Sequence, residues 1–187
     1  NAQKEQQANR VKDYMNWQIM DQMKEYESEF DQMLFYLPLS GSAFKKIYYD
    51  DIMQRAVSKF VPADDLVVPY TATSLEDCES VIHVIRMSEN ELRKKQVGGF
   101  YRDMELTPTH LLESELQEKE RKLEGTTRGR DDRVFTVLEC HVNVDLEGFE
   151  DIDSTNGEPT GIKLPYIVTL EEGTRKVLSV RRNYDVK

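Results

Sequence analysis

Residues 30–70 read FDQMLFYLPLSGSAFKKIYYDDIMQRAVSKFVPADDLVVPY, and the handover inside this stretch decides the fold. A helical pattern runs into Leu37-Pro38-Leu39 and stops at Ser40-Gly41-Ser42, where glycine supplies the left-handed conformation that ends a helix. Ala43 to Asp50 then reads as a strand, carried by Ile47, Tyr48 and Tyr49. Val57–Val61 and Leu66–Tyr70 are two further short β runs, split by the turn signal Pro62-Ala63-Asp64-Asp65. Phe30, Phe35, Tyr36, Phe44, Tyr48 and Tyr49 crowd this junction, with Phe60 and Tyr70 close behind. Most are expected to be core between helix and sheet, and the remainder to anchor an interface between subunits. No metal-ligand cluster, activated nucleophile or phosphate-binding loop accompanies them, so the stretch reads as shape and not as catalysis.

Upstream, Val11, Met15, Ile19, Met23, Tyr26, Phe30, Met33 and Leu37 recur at steps of three or four, one stripe on an amphipathic helix over 5–37. A helix of roughly 30 residues is about 45 Å long, more than a small domain covers. Part of the stripe is expected to wrap its own sheet and part to meet something else.

Downstream, Cys78–Arg86 is rich in β-branched residues and reads as a strand. Ser88-Glu89-Asn90-Glu91 has capping-box spacing and opens a helix that Gly98-Gly99 stops. Thr107-Pro108 opens another, running through Leu111, Leu112, Leu116 and Leu123 to Gly125, followed by a basic loop over Thr126–Asp132. From Val134 to Leu146 the chain alternates strictly. Val134, Thr136, Leu138, Cys140, Val142, Val144 and Leu146 are assigned to the core face, and the far end of the other face to water. Ile162–Leu170 and Lys176–Arg182 flank the hairpin signal Glu171-Glu172-Gly173-Thr174, with Pro165 pushing the first of them towards a sheet edge. The expected class is α+β: one long helix, two shorter ones and a mainly antiparallel sheet ending in a hairpin. A single domain over 1–187 is expected, with the helix over 5–37 and a mixed sheet with helices over 43–187.

The chain has 187 residues, with 25 Lys and Arg against 35 Asp and Glu, a net charge of -10. That disfavours a dedicated nucleic-acid-binding module and leaves open a wall that DNA passes without being gripped. Cys78 and Cys140 are too few for a disulfide framework and fit a reducing interior. No window approaches a membrane span and no signal peptide is read. Asn1-Ala2 is not an initiator start and VLSVRRNYDVK stops on a live strand, so the chain reads as a piece of a longer polypeptide.

Each constellation that could carry chemistry has a plainer reading. Asp151-Ile152-Asp153-Ser154-Thr155-Asn156-Gly157 begins like a calcium loop but puts Asn156 where glycine belongs and Ile162 where the bidentate glutamate belongs, so it reads as a solvated turn. Cys140 and His141 point to opposite faces of one strand, and Cys78 with His83 lacks zinc spacing. Cys140 reads as a small core residue, His83 as a strand histidine and His110 as exposed. Asp50-Asp51, Asp64-Asp65 and Asp131-Asp132 read as turn and cap residues. Val97-Gly98-Gly99-Phe100 follows a helix and is a C-cap, not a nucleotide loop. Arg121, Lys122, Arg128, Arg130 and Arg133 form one basic patch, and Arg175, Lys176, Arg181 and Arg182 a second; both are expected to pair with carboxylates. No catalytic, cofactor-binding or metal-ligating residue is assigned.

The blocks DQMLFYLPLSGSAFKKIYYD, KFVPADDLVVPY and ENELRKKQVGGFY, continued by FTVLECHVNVDLEGFEDID and GEPTGIKLPYIVTLEEGTRKVLSVRRNYD, resemble the portal proteins of tailed bacteriophages, in particular the large portals of short-tailed phages. The resemblance covers nearly the whole chain and carries no catalytic signature. It implies a wing-region segment of a portal subunit: a dodecameric homo-oligomer in the full-length protein, partnered by terminase, capsid and tail or adaptor proteins. The genome would pass through its channel without being bound specifically. The expected location is the portal vertex of the virion, and the host cytoplasm during assembly; no membrane, cofactor or enzymatic role is implied. The alternatives are a generic helical scaffolding module, or a metal-dependent hydrolase using Asp50, Asp51 and His83.

Overall fold

The computed structural model describes residues 2–75, 78–106, 134–153 and 156–184. The class is α+β, with a long N-terminal helical segment, two more helices and antiparallel sheets that include a C-terminal hairpin. The expected helix over 107–125, with its following basic loop, lies outside the described residues. The chain divides into two compact units, 1–65 and 66–187, and the boundary falls inside the segment read from sequence as one mixed sheet. There are two separate sheets.

In the first unit, helix α1 (Ala2–Trp17) passes through a π-helical turn (Gln18–Gln22) to Met23, then α2 runs from Tyr26 to Ser40. This corrects the single helix over 5–37. The break sits at Met23, whose φ -87° and ψ 73° leave the helical region. Met23 donates its N–H to Gln18 O at 3.0 Å and is itself buried, whereas α1 buries no side chain. Gly41 ends α2 at φ 76°, its N–H on Leu37 O, as the glycine predicts. Strands β1 (Ala43–Asp50) and β2 (Arg55–Pro62) form a two-stranded antiparallel hairpin, from Ala43 opposite Pro62 to Asp50 opposite Arg55.

The second unit holds a five-stranded antiparallel sheet in the order β3-β4-β5-β6-β7, from β3 (Leu66–Val67), β4 (Ser80–Ser88), β5 (Val134–Val144), β6 (Leu164–Glu171) and β7 (Val177–Arg182). Leu66–Tyr70 thus pairs over two residues only. Helix α3 (Glu89–Val97) follows β4 directly, and its capping box is complete: Ser88 Oγ accepts from Glu91 N, and Glu91 Oε2 accepts from Ser88 N. Ser88→Ala should cost about 0.5–2 kcal/mol, read as a drop in the urea midpoint.

The core joins Met87, Leu92, Tyr101, Phe135, Val137 and Leu178, with Ile85, Phe100, Met104 and Leu106 packed against it. Here the alternation of β5 is corrected. The cluster uses Phe135 and Val137, the face opposite the one assigned to the core, and they stand across from Met87 and Ile85. Thr136 and Cys140 are buried on the assigned face, so this half of β5 is covered on both sides, while Asn143 on the far end is exposed. Pro165 is also corrected. Strand β6 is interior, flanked by β5 and β7. Pro165 C=O accepts Asn183 N at 3.0 Å, just past the end of β7. In an antiparallel ladder a residue's N–H and C=O share one side, so the donor that proline lacks falls where the β7 ladder has run out.

Candidate interaction surface

Helix α2 lies along the outer margin of β2 and closes it with two carboxylates. Glu25, just before α2, accepts the Ser58 N–H on Oε1 at 3.2 Å; Glu29 accepts the Phe60 N–H on Oε2 at 2.7 Å. The spacing works because four helical residues rise about 6 Å and two strand residues about 6.7 Å. The next outward position is Pro62, which has no N–H to offer. Two residues before the Glu25 contact on β2, the Arg55 guanidinium donates to Ala56 O at 3.3 Å, and it also donates to Glu25 Oε1 at 2.9 Å. Burial alone would raise the Glu25 carboxyl. Hydrogen bonds from its own backbone, Arg55 and Ser58, with the Arg55 charge, outweigh that and hold it below the ordinary carboxylate range. Nothing in the sequence marked these two glutamates, which look like the solvated face of an amphipathic helix.

The aromatic junction is corrected: none of its eight rings is buried, Phe30, Phe35, Tyr36, Tyr49 and Tyr70 being exposed and Phe44, Tyr48 and Phe60 half-buried. Tyr36 meets Phe60 at 5.3 Å between centroids, and Tyr26 stacks with Phe30 at 6.0 Å. Lys45 Nζ sits 3.7 Å from the Tyr26 centroid. Phe35, Leu39, Ile47 and Tyr49 stay exposed, as do Val11, Tyr14, Met15, Trp17 and Met20 along α1 and the turn after it. These exposed apolar side chains make the first unit the candidate interaction surface.

In the second unit the segment after α3 covers the outer margin of β7. Arg102 N donates to Leu178 O at 2.9 Å, Lys176 Nζ to Glu105 O at 2.8 Å, and Arg181 Nη2 to Phe100 O at 3.2 Å. Gln96 Nε2 fixes that segment through Met104 O at 2.9 Å, and the Arg181 guanidinium lies 3.5 Å from the Phe100 centroid. Arg181 and Lys176 of the second basic patch therefore hold backbone carbonyls and an aromatic face. Arg182 lies 5.2 Å from the Tyr166 centroid. The first patch, including Arg121 and Arg128, lies outside the described residues, as does His110.

The residues considered for chemistry belong to different elements. Asp50 Oδ1 accepts Ile52 N and Met53 N, both at 2.9 Å, which shapes the β1–β2 turn. Asp50 and Asp51 belong to the first unit and His83 to the second. Asp64 and Asp65 lie in a 3-10 turn. Asp151 Oδ2 accepts Thr160 Oγ1 at 2.8 Å, and Ile152 bridges Pro159, so that loop is a small hairpin at these residues. Cys140 is buried, and that burial, with the Glu139 carboxylate second, pushes its thiol up and away from thiolate. Across the strand's other face His141 Nε2 meets Glu139 Oε1 at 3.0 Å, a pair visible beforehand only as i, i+2 neighbours. Gly98 and Gly99 end α3. Among the described residues, no group of three or more His, Cys, Asp and Glu could hold a metal ion, and no helix is long and apolar enough to cross a membrane.

No protein-family model matches the chain, and no curated protein matches it.

Proposed function

We propose that the chain is a structural segment of a phage portal subunit, making subunit–subunit and capsid contacts around a channel for double-stranded DNA, and that it performs no catalytic step. The observation that carries this reading is α1, which buries none of its side chains yet presents Val11, Tyr14, Met15 and Trp17. A helix so exposed lacks the tertiary packing from which helices in proteins draw most of their stability. A neighbouring subunit would supply it through heterologous, head-to-tail contacts that close by rotation. The family resemblance of the quoted sequence blocks adds support, as does the net charge of -10, which repels a passing duplex.

Electron microscopy of the purified parent gene product should show closed, dodecameric rings, while this chain alone should scatter light as a monomer or small oligomer. Rings absent from the parent product would overturn the reading. So would phosphodiester turnover by this chain that vanishes in both Asp50→Ala and His83→Ala.

A further inference from the structure

The two margins of the β1–β2 hairpin are unlike. Ser58 and Phe60 send their N–H groups to Glu25 and Glu29, away from β1. Their cross-strand partners are Ile47 and Lys45, which therefore form the non-hydrogen-bonded pairs of this ladder. It follows that the N–H and C=O of Lys45, Ile47 and, by the same alternation, Tyr49 point outward from β1. Among the described residues no hydrogen bond reaches those groups, and the sheet ends there. On that margin Ile47 is 67% and Tyr49 58% exposed, while Lys45 is half-buried with its ammonium over the Tyr26 ring.

The order of residues on β1 says what fits this margin. Lys45-Lys46-Ile47-Tyr48-Tyr49 is complementary to itself when reversed. An antiparallel second copy centred on Ile47 sets Lys45 opposite Tyr49, Lys46 opposite Tyr48, and Ile47 opposite Ile47. No lysine then faces a lysine, Lys45 and Lys46 keep the Tyr26 and Tyr48 rings they meet in their own chain, and the outward groups of residues 45, 47 and 49 exchange main-chain hydrogen bonds. Sliding by two residues one way sets Lys46 against Lys46, which is repulsive. Sliding the other way runs the pairing into the turn, whose Asp50 carboxylate is already taken by Ile52 and Met53. Parallel pairing would line like charge against like.

We propose that β1 is a docking edge for β1 of a second copy of this chain, giving a two-fold, four-stranded antiparallel sheet with Ile47 on the axis. This pairing does not depend on the portal reading, because an isologous contact cannot by itself propagate a ring.

Disulfide trapping tests it in a Cys78→Ser background. A hydrogen-bonded antiparallel pair has Cα atoms about 5.5 Å apart, inside the roughly 4.4–6.8 Å window for a disulfide. Ile47→Cys should therefore collect mainly as covalent dimer under mild oxidation. Lys46→Cys and Tyr48→Cys should each stay monomeric alone and cross-link when mixed. Without cysteines added, sedimentation should show apparent mass doubling as concentration rises, and Ile47→Lys should abolish the doubling with an unchanged melting curve. Equal cross-linking at all three positions would overturn the proposal. So would a chain that stays monomeric at the highest concentration while its Ile47→Cys variant forms no covalent dimer.

Discussion

Phe135→Ala should destabilise the second unit by about 3–5 kcal/mol, the largest single effect expected in the chain. Phe135 is 3% exposed on β5, opposite Met87 and in one cluster with Leu92, Tyr101, Val137 and Leu178. Removing its ring takes away burial and leaves a cavity that two strands and α3 cannot close without losing their register. Urea denaturation followed by far-UV circular dichroism would show the midpoint falling, with the slope little changed. Cys140→Ala, at a buried position of smaller volume, should cost much less. A Phe135→Ala variant as stable as the parent would mean that the core is not where the structure puts it.

Glu25→Ala comes second, at about 1.5–3 kcal/mol, because it orphans the N–H of a fully buried Ser58 and the charge of Arg55. Glu25→Gln keeps an acceptor for Ser58 but loses the ion pair, so it should fall between the parent and the alanine variant. The pH dependence has a definite sign. The Glu25 carboxyl is held below its ordinary value of 4.5 in the folded unit. Its contribution is thus fully present above the unfolded value and is lost as pH falls through the folded one. Melting temperature should decline below about pH 4.5, and less steeply in Glu25→Gln, whose residue 25 no longer titrates.

Local rules carried much of the fold. Ser88 and Glu91 announced α3, Gly41 ended α2, Asp50 shaped the turn of the first hairpin, and Glu171-Glu172-Gly173-Thr174 lay between paired strands. Each of these signals is satisfied within four or five residues. What escaped needed partners far along the chain. The stripe from Val11 to Leu37 has helical period throughout, and periodicity does not register the break at Met23. Strict alternation along β5 shows that two faces differ, but only α3 and β7 decide that Phe135 and Val137 meet the core. Pro165 is tolerated inside the sheet because β7 stops at Arg182, a fact of strand length in a neighbour. Glu25 and Glu29 were invisible for the same reason: their role exists only once α2 lies against Ser58 and Phe60. The candidate surface was the least legible part, since an apolar side chain looks alike whether a core or another molecule will cover it.

The closed margin of β2 has one more effect, on size. Strand addition ordinarily continues for as long as each newcomer brings a fresh edge, which is how fibrils grow. A ribbon sealed on one flank by Glu25, Glu29 and Pro62 can accept a neighbour only on the other flank, and joining two such ribbons consumes both receptive flanks. Growth then stops at a pair, a built-in terminator for a hairpin that would otherwise be free to polymerise.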